Sequence, residues 1–304
     1  MMTTSQFPDL IDLRVTKIHD DEYEQLYTMD NPVDILYGVE TISNAYDIES
    51  QVGGLGDIPE FTGNIGYDDA AQGYDTQFNV KEFSGGIKAQ RLLLKTDRLK
   101  VIEGKAQALG EAGMRSICKD AMSVFINAST QAMPGPGGAG DGLSLGNNAH
   151  TSAYPGAAYT FDNLHTTAFS VVQLETLRQA GLRIRNDRNE ITPILYDTII
   201  CPPELEGAVN EVVGSPGKPG SGNNDINFQA GKWKVYSSPW LTSSTDWFVA
   251  SSKHMRKWLL WKWLERPDFS RDSEFDTHAR KWAVYYSYAK GWVDWRFVQV
   301  SDVA

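Results

Sequence analysis

Residues 257 to 263, KWLLWKW, place three tryptophans and two leucines within seven positions. All nine tryptophans of the chain lie between Trp233 and Trp295, and none occurs earlier. One tryptophan side chain buries on the order of 200 Å². This last part of the chain must therefore pack into a core or against another molecule.

The chain from Lys253 onward is predicted to form aromatic strands. In residues 279 to 300 apolar and aromatic side chains occupy both alternating sets of positions, which is typical of a strand covered on both faces. The interleaved lysines also fit a stacking platform for single-stranded nucleic acid. We favour a core together with a protein interface, because the acidic first third of the chain would repel phosphate.

Charge separates the chain into two parts. Residues 1 to 90 hold 17 acidic side chains against 4 basic ones, although the whole 304-residue chain has a net charge of −11. The sequence pI of about 4.9 argues against a nucleic-acid reader, which normally carries a basic stripe. An acidic amino-terminal arm is thus predicted to precede a nearly neutral, aromatic body.

Composition indicates an ordinary globular protein, with 41% hydrophobic and 22% charged residues. The first residues lack the pattern of a signal peptide, and no apolar run reaches the ~18 residues of a membrane span. We expect a protein that is made and kept in the cytoplasm, without a membrane partner. Cys118 and Cys201 lie far apart and are predicted to be reduced, buried side chains.

The middle of the chain alternates between glycine-rich loops and periodic segments. Residues 51 to 90 are punctuated by glycine and predict a long two-stranded hairpin, which would need a neighbour to be stable. Apolar residues recur at spacings of three and four from Thr96 to Ala128, which predicts one long helix of about 48 Å. A second helix is predicted over residues 160 to 181, ending at Gly181.

Beyond the second helix the pattern changes to short strands. Ile194 to Cys201 is predicted as a buried strand, followed by a helix that begins at Pro203. Two more strand-like runs, KWKVYSSPWL and DWFVAS, follow a flexible loop at residues 214 to 224.

No motif for catalysis, a cofactor or a metal is present. GPGGAG at residues 135 to 140 has the spacing of a dinucleotide loop, but no strand leads into it. The five histidines form no metal-ligand pair, and no nucleophile elbow or C-x-x-C occurs. The sequence therefore predicts no catalytic residue, no cofactor and no metal, and an enzyme would have to assemble its site from scattered side chains.

Three stretches in this order resemble the major capsid protein of tailed bacteriophages, whose fold is named after phage Hong Kong 97. They are GDIPEFTGNIGYDDAAQGYDTQFNVKEFSGGIKAQR, ITPILYDTIICPPELEGAVNEVV and KWKVYSSPWLTSSTDWFVAS. The resemblance implies an α+β, Hong Kong 97-type capsid fold with five parts. These are an N-terminal arm at 1–50, an E-loop hairpin at 51–90, a spine helix of the peripheral domain at 91–130, a mainly axial domain at 131–250, and peripheral-domain strands at 251–304.

The resemblance also implies a structural function. Copies of the chain would assemble as pentamers and hexamers into an icosahedral shell, in the virion capsid, around the double-stranded DNA of a tailed phage. Assembly would take place in the host cytoplasm. Expected partners are further copies of the chain, a scaffolding protein, a portal and a cement protein, with the DNA enclosed and not bound by sequence. An encapsulin-like cargo compartment is the alternative within the same fold.

Large aromatic side chains on the predicted hairpin and in the aromatic region are the candidate inter-subunit contacts. They are Phe61, Tyr67, Tyr74, Phe78, Phe83, Trp258, Trp261 and Trp263. The sequence departs from some relatives in showing no long, charged helical extension at its amino end, so a separate scaffolding protein is expected.

Overall fold

The computed structural model describes residues 8–29, 31–58, 60–61, 63, 65, 67–68, 72–90, 99–132, 141–154, 159–218, 225–274, 276 and 278–303. The helices in these residues are α1 (Pro8–Met29), α2 (Pro32–Leu36), α3 (Leu99–Ile126), α4 (Val171–Leu182), α5 (Pro203–Gly214) and α6 (Ser252–Trp258). None of the described helices is long and apolar enough to span a bilayer.

The strands of the described residues are numbered in chain order. They are β1 (Gly38–Thr41), β2 (Tyr46–Val52), β3 (Gln72–Asn79), β4 (Lys81–Ala89), β5 (His150–Thr151), β6 (Thr160–Phe161), β7 (Leu164–His165), β8 (Thr198–Cys201), β9 (Lys234–Ser237), β10 (Trp247–Ala250), β11 (Leu259–Glu274), β12 (Ala279–Trp292) and β13 (Val298–Ser301).

Two sheets organise the molecule. One has the order β1-β11-β12-β4, in which β1 is parallel to β11 and the other pairs are antiparallel. The other has the order β7-β13-β10-β8-β9. Two small ribbons, β2-β3 and β5-β6, complete the pairing among the described residues. The last strand, β13, thus pairs with β10 and β7, and does not join the aromatic sheet of β11 and β12.

The predicted long helix is confirmed as α3, although Thr96, its predicted start, lies outside the described residues. Ile102, Ala106, Ile117 and Ala121 on one face are buried, as the periodicity predicts. Gly110 lets α1 approach closely, because a Cβ there would meet the His19 carbonyl oxygen at 3.0 Å. The amino-terminal region therefore rests on the helix of its own chain.

Five expectations from the sequence need correction. Pro8–Met29 is a helix, although no helix was predicted in the acidic arm. The hairpin is formed by β2 and β3, since β4 leaves it to pair with β12. The chain is helical over Ser252–Trp258, where strands were predicted.

The second predicted helix begins too early, and the predicted strand Ile194–Cys201 is too long. Helix α4 starts at Val171, because the Ser170 hydroxyl accepts the N–H of Gln173 as an N-cap, and the preceding residues form β6 and β7. The helix also continues past Gly181, which is buried inside it. Strand β8 covers only the second half of the predicted Ile194–Cys201 strand.

The main core is continuous between the two sheets. It joins α3 and the aromatic sheet to α4, α5 and the five-stranded sheet. Trp261 lies in this core, with its ring stacked on Tyr288 at 4.0 Å and meeting Tyr37 and Trp263 edge-on at 5.6 Å each. Both cysteines are free and buried, as predicted. The aromatic residues of β11 and β12 are therefore first of all the interior of one chain.

Replacing Trp261 by Ala is expected to lower the free energy of unfolding by about 3–5 kcal/mol, because it leaves a cavity among fixed aromatic rings. Urea unfolding followed by far-UV circular dichroism measures this loss. Trp258→Ala is the matched control, since Trp258 is only half-buried and should cost clearly less. Equal losses for the two variants would contradict this assignment of the core.

Gly38→Ala is expected to lower the free energy of unfolding by about 1–3 kcal/mol, because its Cβ would lie 2.0 Å from the backbone oxygen of Arg256. Gly104→Ala, within α3, has open space around the new Cβ and should stabilise by up to about 1 kcal/mol. Thermal unfolding of the two variants compares them. A neutral Gly38→Ala would show that β1 does not pack against α6 in this way.

Candidate functional site

The β2-β3 ribbon carries its apolar side chains on the outside. Along β2 burial alternates, and Tyr46, Ile48 and Val52 are exposed. The residues between them, including Asp47 and Glu49, face the body of the protein and are partly buried. This is the reverse of the usual arrangement on a strand with one covered face, where the apolar side chains point inward.

A buried lysine explains the reversed orientation. The Lys262 side chain, on β11, is 0% exposed, and its Nζ donates hydrogen bonds to carboxylate oxygens of Asp47 and Glu49. Glu40 Oε2 lies 3.3 Å from the same Nζ, and the ring of Phe78 lies 4.9 Å from it. Burying an ammonium is costly unless it is paired and hydrogen-bonded. The acidic face of β2 supplies those partners.

The carboxylates keep Lys262 charged. Burial alone would lower the pKa of Lys262, but its hydrogen bonds to Asp47 and Glu49 and the charges of Glu49 and Glu40 raise it overall. A raised pKa means that this contribution to stability is fully present at neutral pH. As far as Lys262 itself is concerned, it is lost when the pH rises through the pKa of the folded state, in strongly alkaline solution.

The base of the ribbon is fixed by hydrogen bonds to the body. The Tyr74 hydroxyl lies 2.9 Å from Thr151 Oγ1 and donates to the Ser152 carbonyl oxygen at 3.2 Å. Gln51 Nε2 donates to the carbonyl oxygen of Val293.

The loop beyond the ribbon is fixed at the turn that follows α4. The Arg188 guanidinium binds Asp68 with two hydrogen bonds, of 2.7 and 3.1 Å. Asp68 also accepts the N–H of Gly56, and Glu190 accepts that of Asp57. The ribbon is thus held at both ends, and its outer face is left open.

We call the exposed apolar side chains of this region the hairpin surface. It consists of Tyr46, Ile48, Val52, Leu55, Ile58, Phe61, Ile65 and Tyr67, all between 52% and 95% exposed. Large exposed apolar patches on a protein usually mark a site of protein–protein contact. No lysine or arginine lies between residues 46 and 80, so the hairpin surface is also acidic at its rim.

The structure separates the aromatic residues that were predicted to contact other subunits. Phe61 and Tyr67 are exposed on the hairpin surface. Phe78, Trp261 and Trp263 are at most 2% exposed and belong to the interior of their own chain. Because such side chains offer no surface to a partner, the burial does not support them as contact residues.

The remaining three predicted contact residues are partly buried. Tyr74 makes the hydrogen bonds at the ribbon base, and Phe83 on β4 stacks on Tyr286 and Tyr288 at 5.4 and 4.9 Å. Trp258, on α6, lies beside His254, with ring centroids 4.9 Å apart.

Sequence reasoning missed six members of the hairpin surface. They are Tyr46, Ile48, Val52, Leu55, Ile58 and Ile65. The available signal was the alternation of apolar and acidic residues in YDIE at the start of β2, together with the lack of basic residues around it.

The described residues contain little that could support chemistry. No group of three or more His, Cys, Asp or Glu side chains among them could hold a metal ion. A groove of about 310 Å³ runs between β3, α3 and β12. Lys81 and Lys290 both line it, and Lys290 is paired with Asp120 Oδ1 at 2.8 Å, while burial lowers the pKa of Lys290. The groove therefore has polar walls, and its Lys290 is held by an ion pair with Asp120 and a hydrogen bond to Ser123 Oγ.

Lys262→Met is expected to lower the free energy of unfolding by about 2 kcal/mol and to increase hydrogen exchange in β2, because three carboxylates lose their shared cation. The estimate lies below the ~3–5 kcal/mol of fully buried pairs, since these carboxylates are partly exposed. Lys88→Met, which removes an exposed ion pair with Glu274, is the control and should cost less than about 1 kcal/mol. Similar effects of the two changes would contradict a special role of Lys262.

Comparison with known proteins gives a family. A model of a family described as phage capsid protein matches residues 73–301. No curated protein matches the chain. Solved structures show the same fold at low sequence identity.

Three of these structures are phage particles. The bacteriophage JBD30 capsid is 15% identical, with a TM-score of 0.55 and coverage of 69% of this chain and 90% of that one. The structure from Mycobacterium phage Adephagia is 10% identical, with a TM-score of 0.56 over 91% of each chain. The capsid of cyanophage P-SCSP1u is also 10% identical, with a TM-score of 0.56 over 89% of this chain and 87% of that one.

The family model covers most of the chain, and the fold is the predicted Hong Kong 97-type α+β fold. The chain therefore belongs to the phage capsid protein family: it is a structural protein of the virion capsid, the major capsid protein of an icosahedral head, and not an enzyme.

Proposed function

We propose that the hairpin surface is the main contact by which one copy of this chain holds the next copy in the shell. The observation that carries the proposal is the orientation of β2, whose acidic side is paired with Lys262 within the chain while its apolar side is open. A ribbon of two strands is marginally stable by itself. Docking on a second copy would cover both its apolar face and its free edge.

The shell built in this way consists of pentamers and hexamers around the double-stranded DNA of a tailed phage. In this proposal the five-stranded sheet with α4 and α5 forms the axial domain, which surrounds the capsomer axes. The four-stranded sheet with α3 forms the peripheral domain. The boundaries proposed from the sequence shift accordingly, since β13 belongs with the axial group and α1 with the peripheral one.

The partners follow from the same proposal. The JBD30 capsid is decorated with minor capsid protein trimers, and we propose that a cement protein also binds this shell. A scaffolding protein and a portal would act during assembly in the host cytoplasm. The net charge of −11 suits a wall that encloses DNA without binding it by sequence. The family match favours this phage head over an encapsulin-like cargo compartment.

Introducing a charged side chain on the hairpin surface tests whether this surface contacts a second copy of the chain. Ile58→Asp and Phe61→Asp change side chains that are 95% and 71% exposed, so the free energy of unfolding should change by less than about 0.5 kcal/mol. The yield of closed particles in electron microscopy and sedimentation should nevertheless fall at least tenfold. An acidic side chain cannot be buried at an apolar contact without a large cost.

Ile58→Leu is the control at the same position and should assemble like the wild type. Normal particle yields from both aspartate variants would contradict the hairpin contact. If the wild-type chain forms no shells, alone or with the products of its neighbouring genes, the assembly function itself would be contradicted. Particles that hold protein cargo and no nuclease-protected DNA would favour the compartment alternative.

A further inference from the structure

A buried histidine lies just below the base of the ribbon. His150, on β5, is 1% exposed, and its ring is stacked on Trp295 with centroids 4.3 Å apart and planes 7° from parallel. Its neighbour Thr151 contacts the Tyr74 hydroxyl of β3. The environment of His150 is therefore connected to the hairpin through a single residue.

The first ring nitrogen of His150 faces a hydrogen-bond acceptor. Nε2 lies 3.1 Å from Oδ1 of Asn163. The orientation of this amide is fixed, because its Nδ2 donates to the carbonyl oxygens of Leu145 and Val298, and its Oδ1 accepts the N–H of Asn147. Since the Asn163 oxygen can only accept, Nε2 must carry a proton.

The second ring nitrogen also faces an acceptor. Nδ1 lies 2.6 Å from Oδ2 of Asp141, whose oxygens also accept the N–H groups of Leu143 and Thr151. Burial raises the pKa of Asp141, but the hydrogen bond and the charge of His150, with the two backbone N–H groups, lower it overall. An ionised carboxylate has no proton to donate, so Nδ1 must carry one as well.

We propose that His150 is a doubly protonated imidazolium at neutral pH and that it forms a proton-controlled clasp for the base of the hairpin. The clasp joins the loop at Asp141 to β5 and to Asn163, which is bonded to β13. When His150 loses a proton, one of its two hydrogen bonds becomes a contact between two acceptors. Strand β5 is then released, and with it the anchor of Tyr74.

The other charged groups near the ring favour the charged form. Arg296, 5.1 Å from the ring of Trp295, is paired with Asp187 at 2.6 Å and with Asp294 at 2.8 Å. Its positive charge is thus more than offset by these two carboxylates. The cluster of Arg296, Asp187, Asp294, Asp141 and His150 therefore has a net charge of −1 when His150 is protonated and −2 when it is neutral.

The sign of the pH dependence follows. The clasp needs His150 protonated and Asp141 ionised. Its contribution to stability is present between these two titrations, is lost in acid as Asp141 takes up a proton, and is lost as the pH rises and His150 gives one up.

Magic-angle spinning NMR of protein labelled with ¹⁵N in histidine measures the protonation directly and does not depend on particle size. At pH 7.5 both ring nitrogens of His150 should give shifts of the protonated type. Thermal unfolding from pH 6 to 9 gives the energetic readout. The wild type should lose about 3 °C or more in Tm over this range relative to Asp141→Asn.

Asp141→Asn is the decisive variant, because its new amide can donate to a neutral Nδ1. This variant should fold, and its His150 should be unprotonated at Nδ1. Its Tm should not show the fall between pH 6 and 9 that is expected of the wild type. His150→Gln removes the clasp and should lower Tm at pH 6 and show accelerated hydrogen exchange in β3. His165→Gln is the control, since His165 Nε2 lies 3.0 Å from Oε1 of Gln299 and takes no part in the hydrogen bonds of His150, and it should keep the pH dependence of Tm seen in the wild type.

A neutral His150 in the wild type at pH 7.5 would overturn the proposal. So would identical pH profiles of Tm for the wild type and Asp141→Asn. Hydrogen exchange in β3 that does not respond to pH would overturn the link to the hairpin. None of these readouts requires shell assembly, so they are independent of the hairpin contact proposed above.

Discussion

A single buried ammonium determines which way the hairpin faces. Desolvating Lys262 costs several kcal/mol, and only the carboxylates of Asp47 and Glu49, with Glu40 nearby, offset that cost. Successive side chains of a strand point to opposite faces. When Asp47 and Glu49 face inward, Ile48 and its apolar neighbours on β2 therefore face outward. A slip of one residue would reverse the whole face. The exposed apolar surface is thus a consequence of an electrostatic requirement.

The same strand that carries Lys262 also builds the core. On β11, Trp261 and Trp263 alternate with Lys262, so the tryptophans pack on Tyr288 while the lysine points to the ribbon. The segment KWLLWKW therefore joins the interior to the hairpin within three residues. Its aromatic content serves first to make a rigid support for the ribbon, since interiors are close-packed and transmit strain. A contact surface has to be held firmly if many identical copies are to meet in the same way.

Much of the fold could be predicted from local signals. The helices α3 and α5 and the strands β9, β10 and β12 have clear periodicity or a proline stop, and all five are present. The failures occur where distant residues override local preference. Asn163 was predicted in a helix, but its side chain bonds to Leu145 and Val298, which holds the chain extended. Strand β4 was predicted to pair with its sequence neighbour, yet it pairs with β12.

The sequence by itself determined that the chain has an acidic first third, an aromatic last third, no motif for catalysis, and an order of elements that resembles a capsid protein. Only the tertiary structure decided which of its large side chains are hidden and which are available to a partner. Trp261 and Ile58 are both apolar, and nothing in their immediate neighbours says that the first is 0% and the second 95% exposed. On β2 the outcome depends on Lys262, which binds Asp47 from 215 positions away, so that Ile48 faces outward.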